Sequence, residues 1–213
     1  RALIEFADRH DLTILADEVY GDLGFAGPLP LLGSFDVDAP VISFSSVSKA
    51  YLAPGWRAGW MVVGATPRLD DALAAVKKLA DGRLCSPGPM QYAVEAALTG
   101  DRSHQVAFRA ALAERGRVTT EMLNAIPGMR CVAPQAAFYV LPSVSLPPGR
   151  TDEHFVLSLL RETGILCVNG SGFGVPASGG FFRIVFLANP QELASIYTDI
   201  GAFTRDYLAR DLR

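Results

Sequence analysis

The sequence predicts an α/β fold, and three observations lead there. Short apolar runs rich in Val, Ile and Leu end abruptly in polar residues, as buried strands do. Between and after them, apolar residues recur at helical spacing. The residue types with chemistry to offer sit where the runs end, which is where α/β sheets bind ligands. Composition agrees. Of the 213 residues 50% are hydrophobic and only 19% are charged, against about a quarter charged in an average soluble chain. Such a length corresponds to one large domain or two small ones.

Taken in order, residues 1–10 place Leu3, Ile4, Phe6 and Ala7 at helical spacing, and Asp11 closes the segment. Leu12-Thr13-Ile14-Leu15-Ala16 reads as a buried strand that runs into Asp17-Glu18. Residues 21–40 hold four glycines and three prolines, the composition of a loop crossing. Val41-Ile42-Ser43-Phe44-Ser45 is a second strand, ending in Ser46-Val47-Ser48-Lys49, and Gly59-Trp60-Met61-Val62-Val63-Gly64 is a third. Thr66 is placed to cap a helix opening at Pro67, with Leu69, Ala72, Leu73, Val76 and Ala80 as its stripe and Lys77 and Lys78 near its end. Helices are expected over 88–99 and 102–125, the latter broken by Pro127-Gly128. The remainder alternates: strand near 137–141, helix near 152–163, strands near 165–168 and 181–187, and a final helix near 191–209. A domain change is expected between about 100 and 130, within or beside the long helix.

Several function classes are excluded. A net charge of −3 offers no basic footprint for nucleic acid. No run of about 18 apolar residues lacks a charge, so no membrane-spanning helix is expected and no membrane partner. Cys85, Cys131 and Cys167 are odd in number, far apart and without a CxxC pair, which argues against a disulfide framework or a zinc site. They read as buried thiols of a reducing compartment, hence a cytoplasmic protein, with no metal. The chain opens Arg1-Ala2-Leu3-Ile4 without Met or signal peptide, as though inside a helix, and is expected to be a piece of something larger.

Of 19 basic residues only Lys49, Lys77 and Lys78 are lysines. Lys49 stands apart because it follows a buried strand and three serines. Partial desolvation there would activate its amine as a nucleophile; the plain alternative is a solvated loop lysine. Ser46-x-x-Lys49 also matches the SxxK pair of serine acyl-transfer enzymes, but the further SDN-like and KTG-like elements are missing. If the first two strands run parallel, Asp17 and Lys49 emerge at one sheet edge. Asp17 is costly there unless paired, or else it caps a helix. Arg57, within Pro54-Gly55-Trp56-Arg57-Ala58-Gly59-Trp60, is not in a solvated-surface composition; a guanidinium grips phosphate in bidentate fashion, and glycines let backbone approach a ligand. Arg183, in Phe181-Phe182-Arg183-Ile184-Val185-Phe186, must meet a carboxylate or point outward.

Together, Asp17-x-x-Tyr20, Ser46-x-x-Lys49, Arg57 eight residues beyond that lysine, and the late Phe182-Arg183-Ile184 resemble the class I/II aminotransferases, pyridoxal-phosphate enzymes of the aspartate aminotransferase fold family. The block from Ser48-Lys49-x-Tyr51 through Gly55-Trp56-Arg57-x-Gly59-Trp60 is the most specific part. Arg83-Leu84-Cys85, and Gly170-Ser171-Gly172-Phe173 ahead of Phe182-Arg183-Ile184-Val185, look like the bacterial alanine (glutamate–pyruvate) aminotransferases. The resemblance implies the C-terminal half of a large αβα domain that binds pyridoxal 5'-phosphate (residues 1–105) and an α+β small domain (106–213).

The resemblance also implies roles. Lys49 would hold the cofactor as a Schiff base and act as the catalytic base. Asp17 would sit against the pyridine nitrogen and Tyr20 against the ring oxygen. Ser46 and Arg57 would hold the phosphate, with Ser48 as a helper, and Arg183 would grip the α-carboxylate of the amino acid. Tyr139 lies near the site in such proteins and receives no chemistry. Amino acid and 2-oxo acid, with alanine and 2-oxoglutarate as the pair, are the small-molecule partners, and a homodimer is the expected assembly. The family's ring-stacking aromatic, its asparagine and its phosphate loop lie upstream of the Asp-x-x-Tyr element, so the resemblance is to a C-terminal portion. Two alternatives remain open: a non-catalytic aminotransferase-like effector domain of a transcription regulator, and a pyridoxal-phosphate-dependent carbon–sulfur lyase.

Overall fold

A computed structural model describes residues 1–36, 38–83 and 87–210. Leu84 and Cys85 therefore lie outside the described residues. The chain divides into two units, Arg1–Arg109 and Ala110–Arg213. In the first, strands β1 (Ile14–Asp17), β2 (Val41–Ser46) and β3 (Gly59–Val63) form one sheet in that order. β1 and β2 are parallel, with Asp17 opposite Phe44, while β3 returns antiparallel with Gly59 opposite Ser46. Parallel neighbours need a crossover. Residues 21–40 supply it as loop, with short 3-10 turns at Gly21–Leu23 and Leu32–Ser34. The Glu18 carboxylate pins this crossover by accepting the Leu32 N–H at 2.5 Å.

Helix α1 (Ala2–Arg9) buries Ile4 and Ala7. Ile4, Ala39 and Val41 form a core against which Ile14, Ala16 and Leu32 pack. β1 opens at Ile14 and not at Leu12, because the Leu12 N–H returns to the Ala7 carbonyl at 2.8 Å and completes the helix exit. Arg68 ties that exit to the turn beyond β3 through Asp8 (3.0 Å) and Asp11 (2.6 Å). These exposed pairs contribute at most about 1 kcal/mol each.

The next helices depart from expectation. Pro67–Leu69 form a 3-10 turn to which the Thr66 side chain gives no cap bond, and α2 starts at Asp70 (Asp70–Gly82). Its first-turn acids Asp70 and Asp71 suit the helix dipole. Lys77 and Lys78 fall short of its last turn, since the helix runs on to Gly82. Of the expected stripe only Leu69 is buried; Ala72, Leu73 and Val76 are half-buried and Ala80 is exposed. Helix α3 (Gly88–Thr99) buries no residue. Tyr92 is 83% exposed, Leu79 76% and Leu15 68%, so this unit leaves much apolar side chain in contact with solvent.

The division between the units falls within α4 (Ser103–Asn124). In the second unit, β4 (Met129–Arg130) pairs with β6 (Ser143–Val144), and a three-stranded antiparallel sheet has the order β5 (Tyr139–Val140), β8 (Phe182–Val185), β7 (Val168–Asn169). The β4–β6 ladder was not expected, because two-residue strands carry no periodicity. β7 lies later than the run at 165–168 suggests: the Ile165 N–H still bonds the Thr163 hydroxyl at 3.2 Å, so the chain is leaving α5 (Asp152–Thr163) at that point. Thr151 caps α5 by accepting the His154 N–H, and Gly164, at φ 76°, ends it. Helix α6 (Pro190–Ala209) opens on a capping box between Asn189 and Glu192. Among the described residues no helix is long and apolar enough to cross a membrane.

The core here is aromatic. The fully buried Phe155 ring has its centroid 5.3 Å from Phe182, 5.4 Å from Phe203 and 5.2 Å from Tyr207. The buried Tyr197 and Thr119 hydroxyls meet at 2.8 Å. Phe155→Ala is expected to destabilise this unit by about 3–5 kcal/mol, read as faster hydrogen exchange of the α5 and α6 amides. Trp fluorescence will miss the change, since both tryptophans, Trp56 and Trp60, belong to the first unit.

Cys131 and Cys167 are free and buried, and burial pushes their thiols up to about 11 and about 12. Burial likewise pushes the Tyr197 phenol up to about 12. The unfolded chain ionises these groups earlier, so above about pH 9 it holds fewer protons than the folded chain. Their contribution to stability is whole below the unfolded values and is lost as pH rises through 11 to 12. The melting temperature by circular dichroism should therefore fall between pH 8 and 11, and fall less in the double variant Cys131→Ala, Cys167→Ala.

Candidate active site

Parallel pairing delivers the ends of β1 and β2 to one edge. Asp17 ends β1 and Ser46 ends β2. The Asp17 carboxylate is exposed, accepts the Val19 N–H at 3.3 Å, and caps no helix. It carries no ion pair among the described residues. The Ser46 hydroxyl accepts the Ser48 N–H at 3.2 Å and so shapes the turn that leads to Lys49. Lys49 is half-buried, and its Nζ lies 5.8 Å from the centroid of the half-buried Tyr20 ring. Amine and ring thus stand near each other just beyond the two strand ends, with Lys49 in a turn and half-buried. Burial pushes the nearby Tyr51 phenol above its ordinary range, against the opposing Arg102 charge.

Arg57 differs from its expectation. Its side chain is exposed and donates from Nη1 to the Pro54 carbonyl at 2.8 Å, and Trp56 is 47% exposed. Its backbone is left-handed at φ 55°, as is that of Leu52 at φ 55°. Non-glycine residues held there cost about 1–3 kcal/mol each and cluster at functional sites. Gly59 lets β3 close on β2: a Cβ there would stand 2.7 Å from the Ser45 carbonyl oxygen and 3.1 Å from the Ser46 Cβ. A cavity of about 410 Å³ is lined by Arg57, Gly59, Arg83 and Gln91, a basic mouth suited to an anion. The larger cavity of this unit, about 570 Å³, is lined mostly by apolar groups such as Leu29, Leu31, Val62 and Leu98 and includes neither Asp17 nor Lys49.

Arg183, in β8 of the second unit, meets no carboxylate among the described residues and does not point freely outward. It is half-buried, with its guanidinium carbon 5.1 Å from the Tyr139 ring centroid and 4.7 Å from that of Phe173. Its Nε is buried without a hydrogen-bond partner among the described residues. A buried donor left unmet costs about 1–3 kcal/mol. Sequence reasoning gave Tyr139 no chemistry and passed over Phe173, whose setting among glycines in Gly170-Ser171-Gly172-Phe173-Gly174 was an available sign.

In the first unit an amine, a phenol, a carboxylate, serine hydroxyls and a guanidinium therefore stand along one sheet edge and its following turns. That donor set suits a ligand with an aldehyde, a basic ring nitrogen and a phosphate. Among the described residues no cluster of His, Cys, Asp or Glu could hold a metal ion.

Known proteins carry the same pattern. The family described as Aminotransferase class I and II matches residues 1–197. The glutamate-pyruvate aminotransferase AlaA of Haemophilus influenzae is 32% identical over 211 residues, covering 96% of this chain and 52% of that protein. The alanine aminotransferase of Mycobacterium bovis is 33% identical over 211 residues, covering 96% of this chain and 49% of that protein. Among solved structures, the alanine aminotransferase from Pyrococcus furiosus superposes with a TM-score of 0.89 at 34% identity, over 95% of this chain and 52% of that one. The aspartate aminotransferase from Thermotoga maritima, at 26% identity, gives a TM-score of 0.80 over 95% of this chain and 50% of that one. The chain spans about half the length of these relatives. With the family pattern running along most of its length, the chain belongs to the aminotransferases of class I and II.

Proposed function

We propose that this chain carries the catalytic lysine and the substrate-carboxylate arginine of a pyridoxal-phosphate-dependent aminotransferase, one that moves an amino group between alanine and 2-oxoglutarate. The observation that carries the reading is the half-buried Lys49 amine 5.8 Å from the Tyr20 ring, at the edge where Asp17 ends β1. The orphaned Nε of Arg183 supports the substrate side, and the named alanine aminotransferases among the relatives support the choice of alanine. When bound, the cofactor supplies an electron sink for charge developing at the substrate α-carbon.

The chain's own residues do the rest. Lys49 holds the cofactor's aldehyde carbon and carries the proton that leaves and re-enters at the α-carbon. Asp17, with no cation paired to it among the described residues, binds the ring nitrogen. Tyr20 donates to the ring oxygen. Ser46 and Arg57 bind the phosphate, with Ser48 assisting, and Arg57 must turn from the Pro54 carbonyl to do so. Arg183 binds the α-carboxylate through its in-plane N–H groups. Residues 1–105 act as cofactor domain and 106–213 as small domain, a division that the two units support. A homodimer is part of this reading, and the exposed Leu15, Val62, Leu79 and Tyr92 support a surface covered in the working protein.

Mixing the chain with pyridoxal phosphate should give a visible absorbance band and, after borohydride, a stable adduct on Lys49. Lys49→Ala should lose both. A band that survives in Lys49→Ala sinks the reading. Arg183→Ala in the loaded enzyme should raise the KM for alanine about 10- to 100-fold, the worth of a charged hydrogen-bond pair, with a smaller effect on kcat.

A further inference from the structure

Asp152 is 1% exposed and has no ion pair among the described residues. Burying a carboxylate is expensive unless hydrogen bonds replace its water, and here three do. Oδ2 accepts the Ser171 N–H at 2.6 Å; Oδ1 accepts the Ser171 hydroxyl at 3.0 Å and the Glu153 N–H at 2.8 Å. One end of Asp152 is thus fixed in the first turn of α5, and the other clamps the 3-10 turn Gly170–Phe173. That turn directly follows β7, whose Val168 stands opposite Arg183 in the ladder. It is also pressed against the strand entrance. The Gly170 N–H bonds the Phe181 carbonyl at 2.7 Å, and a Cβ on Gly170 would stand 2.5 Å from that of Phe181.

Phe173 closes the turn and stays 50% exposed. Its ring lies 4.7 Å from the Arg183 guanidinium, while Tyr139, on the strand at the other side of β8, lies at 5.1 Å. A cation over the faces of aromatic rings is held in place by them, and the Arg183 Nε–H, without a partner among the described residues, is left to meet a planar anion. Taking Arg183 as the carboxylate-binding group proposed above, we propose that Asp152 is a positioning residue: by clamping Ser171 it sets Phe173, which with Tyr139 fixes the plane in which Arg183 presents its donors to the substrate carboxylate.

The test uses the whole chain and L-lactate, which has the α-carboxylate without the amino group. Titration should shift the Arg183 Nε–Hε resonance in nitrogen-15 spectra and yield a dissociation constant. Asp152→Ala should weaken lactate binding at least tenfold and move the Arg183 resonance even without lactate. Asp152→Asn, which keeps an acceptor for the helix turn but cannot accept both Ser171 bonds, should fall between and guards against misfolding of the alanine variant. Phe173→Leu should weaken binding several-fold while Phe173→Tyr retains it, a split that a purely structural role would not produce. Unchanged affinity in Asp152→Ala and Asp152→Asn, with binding abolished by Arg183→Ala, overturns this inference alone. Binding that is absent in the natural chain or survives Arg183→Ala overturns the role of Arg183 and this inference with it.

Discussion

Parallel pairing of β1 with β2 sets what the polar edge of the first unit can be. Because Asp17 stands opposite Phe44, both strands point the same way and their C-terminal ends arrive together. Ser46, the turn and Lys49 then follow within a few residues of Asp17's level in the sheet. An antiparallel arrangement would send Asp17 and Lys49 to opposite ends. The pairing is bought with a crossover of some twenty residues, which Glu18 holds in place from the end of β1 itself. Thus the acidic pair Asp17-Glu18 divides its labour, one carboxylate left at the edge and its neighbour spent on the loop.

β3 adds a second constraint, steric in origin. It can close on β2 beside Ser46 only because residue 59 lacks a Cβ. The short connection between Lys49 and Gly59 must therefore turn sharply, and Leu52 and Arg57 take left-handed conformations within it. Backbone strain and the chemistry-bearing residues fall in the same stretch, as they do at many functional sites.

The second unit solves a different problem, how to keep an arginine half-buried with no counter-ion among the described residues. Tyr139 and Phe173 hold the guanidinium by cation–π contacts, and the aromatic core around Phe155 packs on Phe182 of the same strand. β5 and β7 flank β8 on both sides, so the strand order places Tyr139 beside Arg183, while Phe173 arrives from the 3-10 turn that follows β7.

Helix positions were legible in the sequence because a long amphipathic stripe and its caps are local. α3, α5 and α6 lie within a residue of where the apolar spacing puts them, and the structure adds the caps at Thr151, Gly164 and Asn189. The short strands were legible only as runs. Their ends shifted because pairing partners and helix exits, such as the Leu12 and Ile165 N–H bonds, decide them.

By itself, the sequence determined the fold class, the family resemblance and the identity of Asp17, Tyr20, Ser46, Lys49, Arg57 and Arg183 as the residues of interest, since residue type and spacing are one-dimensional properties. Only the tertiary structure decided that Lys49 meets Tyr20, that Arg57 rests on Pro54, and that Arg183 has rings for neighbours with Asp152 behind one of them. Most of those contacts join residues far apart in the chain, while that of Arg57 with Pro54 spans only three residues and rests on a left-handed turn; all depend on strand order, register and side-chain packing, none of which a local pattern encodes.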